Sequence, residues 1–398
     1  MNPLQEIGRS AALPVGRAVP GTALYVHLPF CAAKCSYCDF FSVPAEGQDL
    51  EGTLQAVLLE AEQRAPRSPR TVFVGGGTPS LYAAGDLRRF FDRLDELTGF
   101  RASAVEVTAE CNPESLDPST AEAFLASGVD RLSIGVQSLR PAILEEFGRV
   151  HSVEQSFQAF RNARGAGFER VSLDLIYAAP GLSTEMWRED LARLLELRPD
   201  HLSAYNLTFE PETQLERKRQ KGEVAPLDED TELDQFWATR ELCAEAGLEA
   251  YEISNFARGA EQRCEHNLAY WRNAEYVGIG PSAVSKVGPV RFGNPRGINA
   301  WRRPVEAGEA AAAWSEEPDA LARLGETWWL GLRTTEGVDP QRALETADFE
   351  GPEDPACELA GTLGEQGLLE AEGGRWRLTQ RGLPLADGVA RKFLELGR

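Results

Sequence analysis

Tyr25-Val26-His27-Leu28-Pro29-Phe30-Cys31-Ala32-Ala33-Lys34-Cys35-Ser36-Tyr37-Cys38-Asp39-Phe40-Phe41 is the stretch on which the reading of this chain turns. Three of the chain's 7 cysteines fall here, spaced C-x3-C-x2-C. Thiolates this close repel one another unless a cation or cluster neutralises them, so their density points to metal. Zinc commonly takes four ligands as two C-x2-C pairs, and no second pair exists, so zinc would need a distant ligand. Three cysteines suit a [4Fe–4S] cubane, with one iron left open for chemistry.

The apolar run Leu24 to Leu28 predicts a buried strand, with the cysteines following its C-terminal end. A second strand, Thr71 to Val74, runs into Gly75-Gly76-Gly77-Thr78-Pro79-Ser80. Glycines there let the backbone approach a ligand and expose its N–H and C=O groups. Helical patterns over 54–64, 86–97, 117–127, 153–165 and 184–197 alternate with strand patterns over 104–108, 131–136, 171–176 and 201–206. Pro118 and Gly128 bracket one helix as caps. Six βα units in succession specify an α/β fold, an open (β/α)6 partial TIM barrel with right-handed crossovers. Functional residues of such folds sit at the strands' C-terminal ends, where Cys31, Gly76, Glu110, Gln137, Asp174 and Tyr205 fall. Taken singly, Glu110, Gln137 or Asp174 reads as a cap or loop residue; recurrence at one end makes them a candidate site.

The cysteine spacing, with Tyr37 ahead of the third cysteine, resembles the radical S-adenosylmethionine (SAM) superfamily. That resemblance implies a barrel whose cluster, held by Cys31, Cys35 and Cys38, chelates SAM at its open iron. Electron transfer would then split the sulfonium into methionine and a 5′-deoxyadenosyl radical. Gly75, Gly76, Gly77 and Thr78 resemble the motif that holds the SAM amino group. By resemblance to the coproporphyrinogen-oxidase branch, Glu110, Gln137 and Asp174 would bond to SAM and Arg149 would pair with its carboxylate. Tyr25 would lie beside the sulfonium and Tyr37 against the adenine. A cationic cofactor wants carboxylates and π-faces, so these residue types make physical sense. His151 reads as a structural or surface histidine.

Further on, Cys264-Glu265-His266-Asn267-Leu268-Ala269-Tyr270-Trp271 places a histidine among aromatics. Imidazole suits haem iron and aromatic rings suit a macrocycle face. His266 to Trp271 matches the H-N-x-x-Y-W motif of HemW-type heme chaperones, the sister group of the oxygen-independent coproporphyrinogen III oxidases. The resemblance implies heme docking through His266 near Tyr270 and Trp271. It also implies delivery to heme-accepting proteins such as membrane respiratory enzymes. Three features separate this chain from the oxidases. Phe40 stands where they carry an extra cysteine, only residues 1–30 precede Cys31, and the H-N-x-x-Y-W motif is complete. Heme transfer is therefore the expected function, with SAM cleavage left open, and coproporphyrinogen III decarboxylation the alternative.

The bulk properties agree. A net charge of −21 argues against nucleic acid. The scattered Cys111, Cys243, Cys264 and Cys357 suggest no disulfide framework, which fits a cytoplasmic, reducing setting. No uncharged apolar run reaches the ~18 residues of a membrane span. Arg217-Lys218-Arg219-Gln220-Lys221 reads as a solvated helix face. The expected organisation is a flexible leader (1–20), the barrel with its heme-motif extension (21–284), a Gly/Pro linker (285–300), and a small winged-helix-like α+β domain (301–398) packed over the barrel mouth.

Overall fold

A computed structural model describes residues 21–397; the expected leader, 1–20, lies outside the described residues. The six expected strands are present: β1 (Ala23–Leu28), β2 (Thr71–Gly76), β3 (Glu106–Cys111), β4 (Arg131–Gln137), β5 (Arg170–Tyr177) and β6 (His201–Asn206). Helices α1 (Leu50–Arg64), α2 (Ala84–Thr98), α3 (Pro118–Ala126), α4 (Val153–Ala166) and α5 (Thr184–Leu195) alternate with them, and α6 (Glu229–Glu245) follows β6. β3 begins two residues later than its apolar pattern suggests, because Gly99 turns left-handed and Phe100–Ser103 form a helical turn. All five pairings from β1 to β6 are parallel.

Side-chain alternation gives this sheet two different faces. Leu24, Val26 and Leu28 of β1, Val72 and Val74 of β2, and Leu132, Ile134 and Val136 of β4 join one large apolar core. The intervening residues are Tyr25 and His27, Thr71 and Phe73, Glu106 and Glu110, Ser133, Asp174 and His201. Parallel strands buried on both faces usually read as continuous apolar runs. The inner face departs from that pattern and is largely polar.

Beyond β6, the short strands β7 (Glu249–Ala250) and β8 (Asn255–Ala257) extend one edge in antiparallel fashion. Helix α7 (Glu265–Trp271) then leads to β9 (Tyr276–Ile279), a seventh parallel strand on the free side of β1. The stretch read as a linker is instead structured. β10 (Val284–Val287) and β11 (Val290–Gly293) pair through Val287 and Val290, so Gly288-Pro289 is a hairpin turn. β12 (Trp314–Glu316) completes a twelve-stranded sheet with unjoined ends, an open barrel. Helix α8 (Ile298–Glu306) buries Trp301 and Val305 in the barrel core, so residues 298–316 belong to the barrel and not to the C-terminal unit.

That unit has its own core, from Leu324 to Phe393, with Trp328 stacked on Phe393 at 5.1 Å. It comprises α9 (Ala320–Gly331), α10 (Pro340–Ala347), α11 (Pro355–Glu365), the hairpin β13 (Leu369–Glu372) and β14 (Arg375–Leu378), and α12 (Ala386–Leu394). Its contacts run to α7 and to the sheet edges beside it, at the strands' N-terminal side, and not over the mouth where the sequence pattern places it. Asn273 donates to Thr327 at 3.0 Å, Thr335 N–H donates to the Tyr251 carbonyl at 3.0 Å, and Arg291 of β11 pairs with Glu326.

One buried carboxylate ties α1 to the late elements. Glu60, 1 % exposed, accepts from Gly280 N–H (2.7 Å), Asn294 (2.8 Å) and Trp301 (2.7 Å), and pairs with Arg64 at 2.8 Å. Glu60→Ala leaves Gly280 N–H and Trp301 Nε1 without an acceptor and removes the buried charge partner of Arg64, and removing one member of a buried pair costs about 3–5 kcal/mol. Urea denaturation should show a loss of that order, whereas a loss below about 1 kcal/mol would mean the hub is dispensable.

Candidate functional site

Register brings the cysteine loop and the glycine loop together, since Leu28 lies opposite Gly76. Past that point Gly77 N–H donates to the Leu28 carbonyl and Thr78 N–H to the Phe30 carbonyl, both at 2.7 Å. A Cβ on Gly77 would come 2.5 Å from each of those oxygens, so no other residue fits. Gly76 has φ +93°, and a side chain there would strike the His27 ring. His27 spans the far side of the loop: Nε2 bonds to the Phe41 carbonyl at 2.8 Å and Nδ1 to the Tyr25 hydroxyl at 3.0 Å. Further along, Ser36 N–H donates to the Phe147 carbonyl and Leu215 N–H to the Ser36 carbonyl.

The expected polar residues converge above the lumen. Glu110 accepts from Gly76 N–H at 3.0 Å and lies against Gly75. Burial, reinforced by nearby Asp174, raises its pKa to about 7, although the Gly76 bond opposes the shift. Asp174 accepts from Ser133 (2.7 Å) and Ser172 (3.0 Å). Gln137 has φ +66° at a register shift between β4 and β5, a bulge that re-aims its side chain. Arg149 donates to Asn112 Oδ1 (2.7 Å), the Gly135 carbonyl (2.8 Å) and Cys35 Sγ (3.4 Å). Burial works against its charge, but Tyr37 and Cys35 hold its pKa above the ordinary value. Tyr37 packs edge-on against Phe147 at 4.8 Å, at the same end of the barrel. His151 is buried and structural, bonded to the Val136 carbonyl at 3.2 Å.

The donor set fits a cluster. Cys31, Cys35 and Cys38 are free and half-buried. Burial pushes the Cys38 thiol up to about 11, with Cys35 adding to it, and burial also raises Cys31. Such thiols become ligands when a cationic centre displaces their protons. Among the described residues no three His, Cys, Asp or Glu side chains converge on a single ion. A cubane makes no such demand, because its cysteines bind separate irons. Cys31, Cys35 and Cys38 would hold it, at the end of the barrel where the glycine loop and Glu110 stand.

His266, expected to bind haem iron, stands elsewhere. Helix α7 lies beneath the strands' N-terminal ends, where Glu106 accepts from Glu265 N–H (2.9 Å) and His266 N–H (3.1 Å). Glu106 is paired with Arg170 at 2.7 Å; burial opposes its ionisation, but Arg131, Arg170 and these amides hold its pKa below the usual range. The His266 ring is 1 % exposed and stacks on Phe73 at 5.1 Å. Its Nδ1 bonds to Thr71 Oγ1 at 2.9 Å and its Nε2 to the Tyr270 hydroxyl at 3.0 Å. Neither nitrogen is open, and burial lowers its pKa to about 4. Tyr270 packs edge-on against Tyr276, and Trp271 lies under Arg333 of the C-terminal unit at 5.0 Å. The motif plugs the barrel floor. Cys264 is likewise buried, against Glu106. Sequence reasoning passed over Asn112 and Glu106; the one available signal was their place at opposite ends of β3.

Fold and site together define a radical SAM protein. The radical SAM superfamily model matches residues 25–194 and the HemN C-terminal domain model matches 319–385. The heme chaperone HemW of Lactococcus lactis is 31% identical over 93% of this chain and 96% of its own length. HemW of Mycobacterium tuberculosis strain H37Rv is 34% identical over 96% and 97%. Coproporphyrinogen III oxidase (HemN) from Escherichia coli shares the fold, with TM-score 0.80 over 94% of this chain and 91% of that one at 22% identity. Within the superfamily, the chain belongs to the HemW family.

Because the folded-state pKa of Glu110 is raised from 4.5 to about 7, its contribution to stability is full below 4.5 and is lost as pH rises through 7. In cluster-free protein, wild type should lose stability relative to Glu110→Gln between those values, by denaturant titration at several pH values. Parallel profiles for the two proteins would refute the buried, protonated carboxyl.

Proposed function

We propose that this protein is a heme chaperone, taking up heme and passing it to heme-accepting proteins such as respiratory enzymes, from a cytoplasmic position. The observation that carries the reading is likeness to HemW proteins along essentially the whole of both chains. Exposed Phe40, 65 % accessible beside the cluster loop, supports it, because the oxidases are expected to carry a cysteine there. Among the described residues no helix is long and apolar enough to cross a membrane.

The chain's own residues do three things at the mouth. Glu110, held at one oxygen by Gly76 N–H, offers its carboxyl to the amino group of an amino-acid headgroup. Arg149 places a fixed positive charge where a carboxylate can meet it, while Gln137, Asp174, Tyr25 and Tyr37 offer polar and π surfaces to a sulfonium nucleoside. When bound there, the reduced cluster would supply the electron that cleaves SAM. The floor residues His266, Tyr270 and Glu106 hold the lumen closed from below, and heme contact is assigned elsewhere than His266.

Anaerobic heme titration, following the Soret band, tests this in wild type and His266→Gln, which keeps a hydrogen-bonding side chain without imidazole. Stoichiometric binding by both is expected. Binding lost in folded His266→Gln would restore His266 as the ligand. No binding by wild type, with turnover of coproporphyrinogen III, would establish the oxidase instead.

A further inference from the structure

A single hydrogen-bonded chain that begins at Arg149 reaches the Cys35 sulfur and the residue just before Cys31. One arm of the guanidinium reaches Cys35 Sγ directly, at 3.4 Å. The other arm donates to Asn112 Oδ1 at 2.7 Å, and Asn112 Nδ2 donates to Thr78 Oγ1 at 2.8 Å. Thr78, 1 % exposed, is pinned through its own N–H to the Phe30 carbonyl next to Cys31. Its oxygen accepts from Asn112, so its hydroxyl proton remains available to an acceptor at the Cys31 root of the loop. Asn112 itself is held by its N–H on Ser80 Oγ at 3.2 Å, at the end of β3. Among the described residues it is the one side chain hydrogen-bonded to both the guanidinium and the threonine.

We propose that Asn112 is a positioning residue that orients Arg149 and Thr78 toward Cys35 and Cys31 and thereby sets the reduction potential of the cluster. The inference rests on the cluster assignment made above. Reduction adds negative charge to a cubane whose sulfurs already carry most of it. A fixed cation and hydroxyl donors aimed at those sulfurs stabilise the reduced state and raise the potential. An amide is the side chain that does both jobs here, accepting from arginine and donating to threonine without bringing charge of its own. A carboxylate in the same place would pair with Arg149, cancel its field, and leave Thr78 without a donor.

EPR-monitored redox titration of reconstituted wild type, Asn112→Asp and Asn112→Ala tests this, with iron and sulfide content measured alongside. Asn112→Asp keeps the shape of the side chain, so it should load a full cluster. Its midpoint potential should fall by the equivalent of at least a tenfold change in the reduction equilibrium, about 59 mV for one electron. Asn112→Ala, wherever it loads, should fall in the same direction. A fully loaded Asn112→Asp at the wild-type potential would overturn the proposal, including the case where Asn112→Ala fails to load, since Asn112 would then serve only structure. A wild type that takes up no cluster would instead overturn the cluster assignment, which separates the two failures.

Discussion

Two backbone hydrogen bonds, from Gly77 to Leu28 and from Thr78 to Phe30, join the glycine loop to the root of the cysteine loop. Everything at the mouth depends on that join. It exists because β1 and β2 are neighbours in parallel register, and because a residue without a side chain lets the two loops approach to 2.7 Å. The cysteines are then carried on a short loop clamped at its start by this join and at its end by His27 on the Phe41 carbonyl. Loops usually give function at the expense of precision. Here the loop is fixed by the strand ends around it, which three thiolates sharing one cluster require.

The same parallel sheet separates the chemistry into two levels. At the C-terminal ends stand the cysteines, Glu110, Asp174, Gln137 and Arg149, with hydrogen-bonding capacity facing a ligand. At the N-terminal ends Glu106 and Arg170 form a buried ion pair capped by the amides of α7, and His266 is enclosed by Thr71, Phe73 and Tyr270. Both levels are polar, and the three cysteines stand at the upper one. The C-terminal unit reads the lower level through Arg333 on Trp271 and Arg272 on Glu336, so the floor helix is shared between the two cores.

Much of this was legible in the sequence because strand ends are marked by composition. Alternation located six strands, and the residues that followed each apolar run fell at one end of the sheet. What escaped has physical causes. Tyr276–Ile279 is four residues long and pairs with β1 across some 250 positions of chain, beyond any local pattern. Gly288 and Pro289 mark a two-residue turn as readily as a linker, and only the pairing of Val287 with Val290 decides. The Gln137 bulge leaves no trace in residue type. His266 packs into the floor, and in a sequence its aromatic neighbours describe a haem pocket and a packed floor equally well. Tertiary burial, which a single sequence does not display, made the difference.

The central claim is a three-cysteine cubane with one iron open to SAM, and Mössbauer spectroscopy of anaerobically reconstituted, iron-57-labelled protein tests it most directly. Adding SAM should change the signal of one iron in four, leaving the others as they were. An unchanged spectrum at saturating SAM would contradict the account, and so would a full cluster in protein whose Cys31, Cys35 and Cys38 are all alanine.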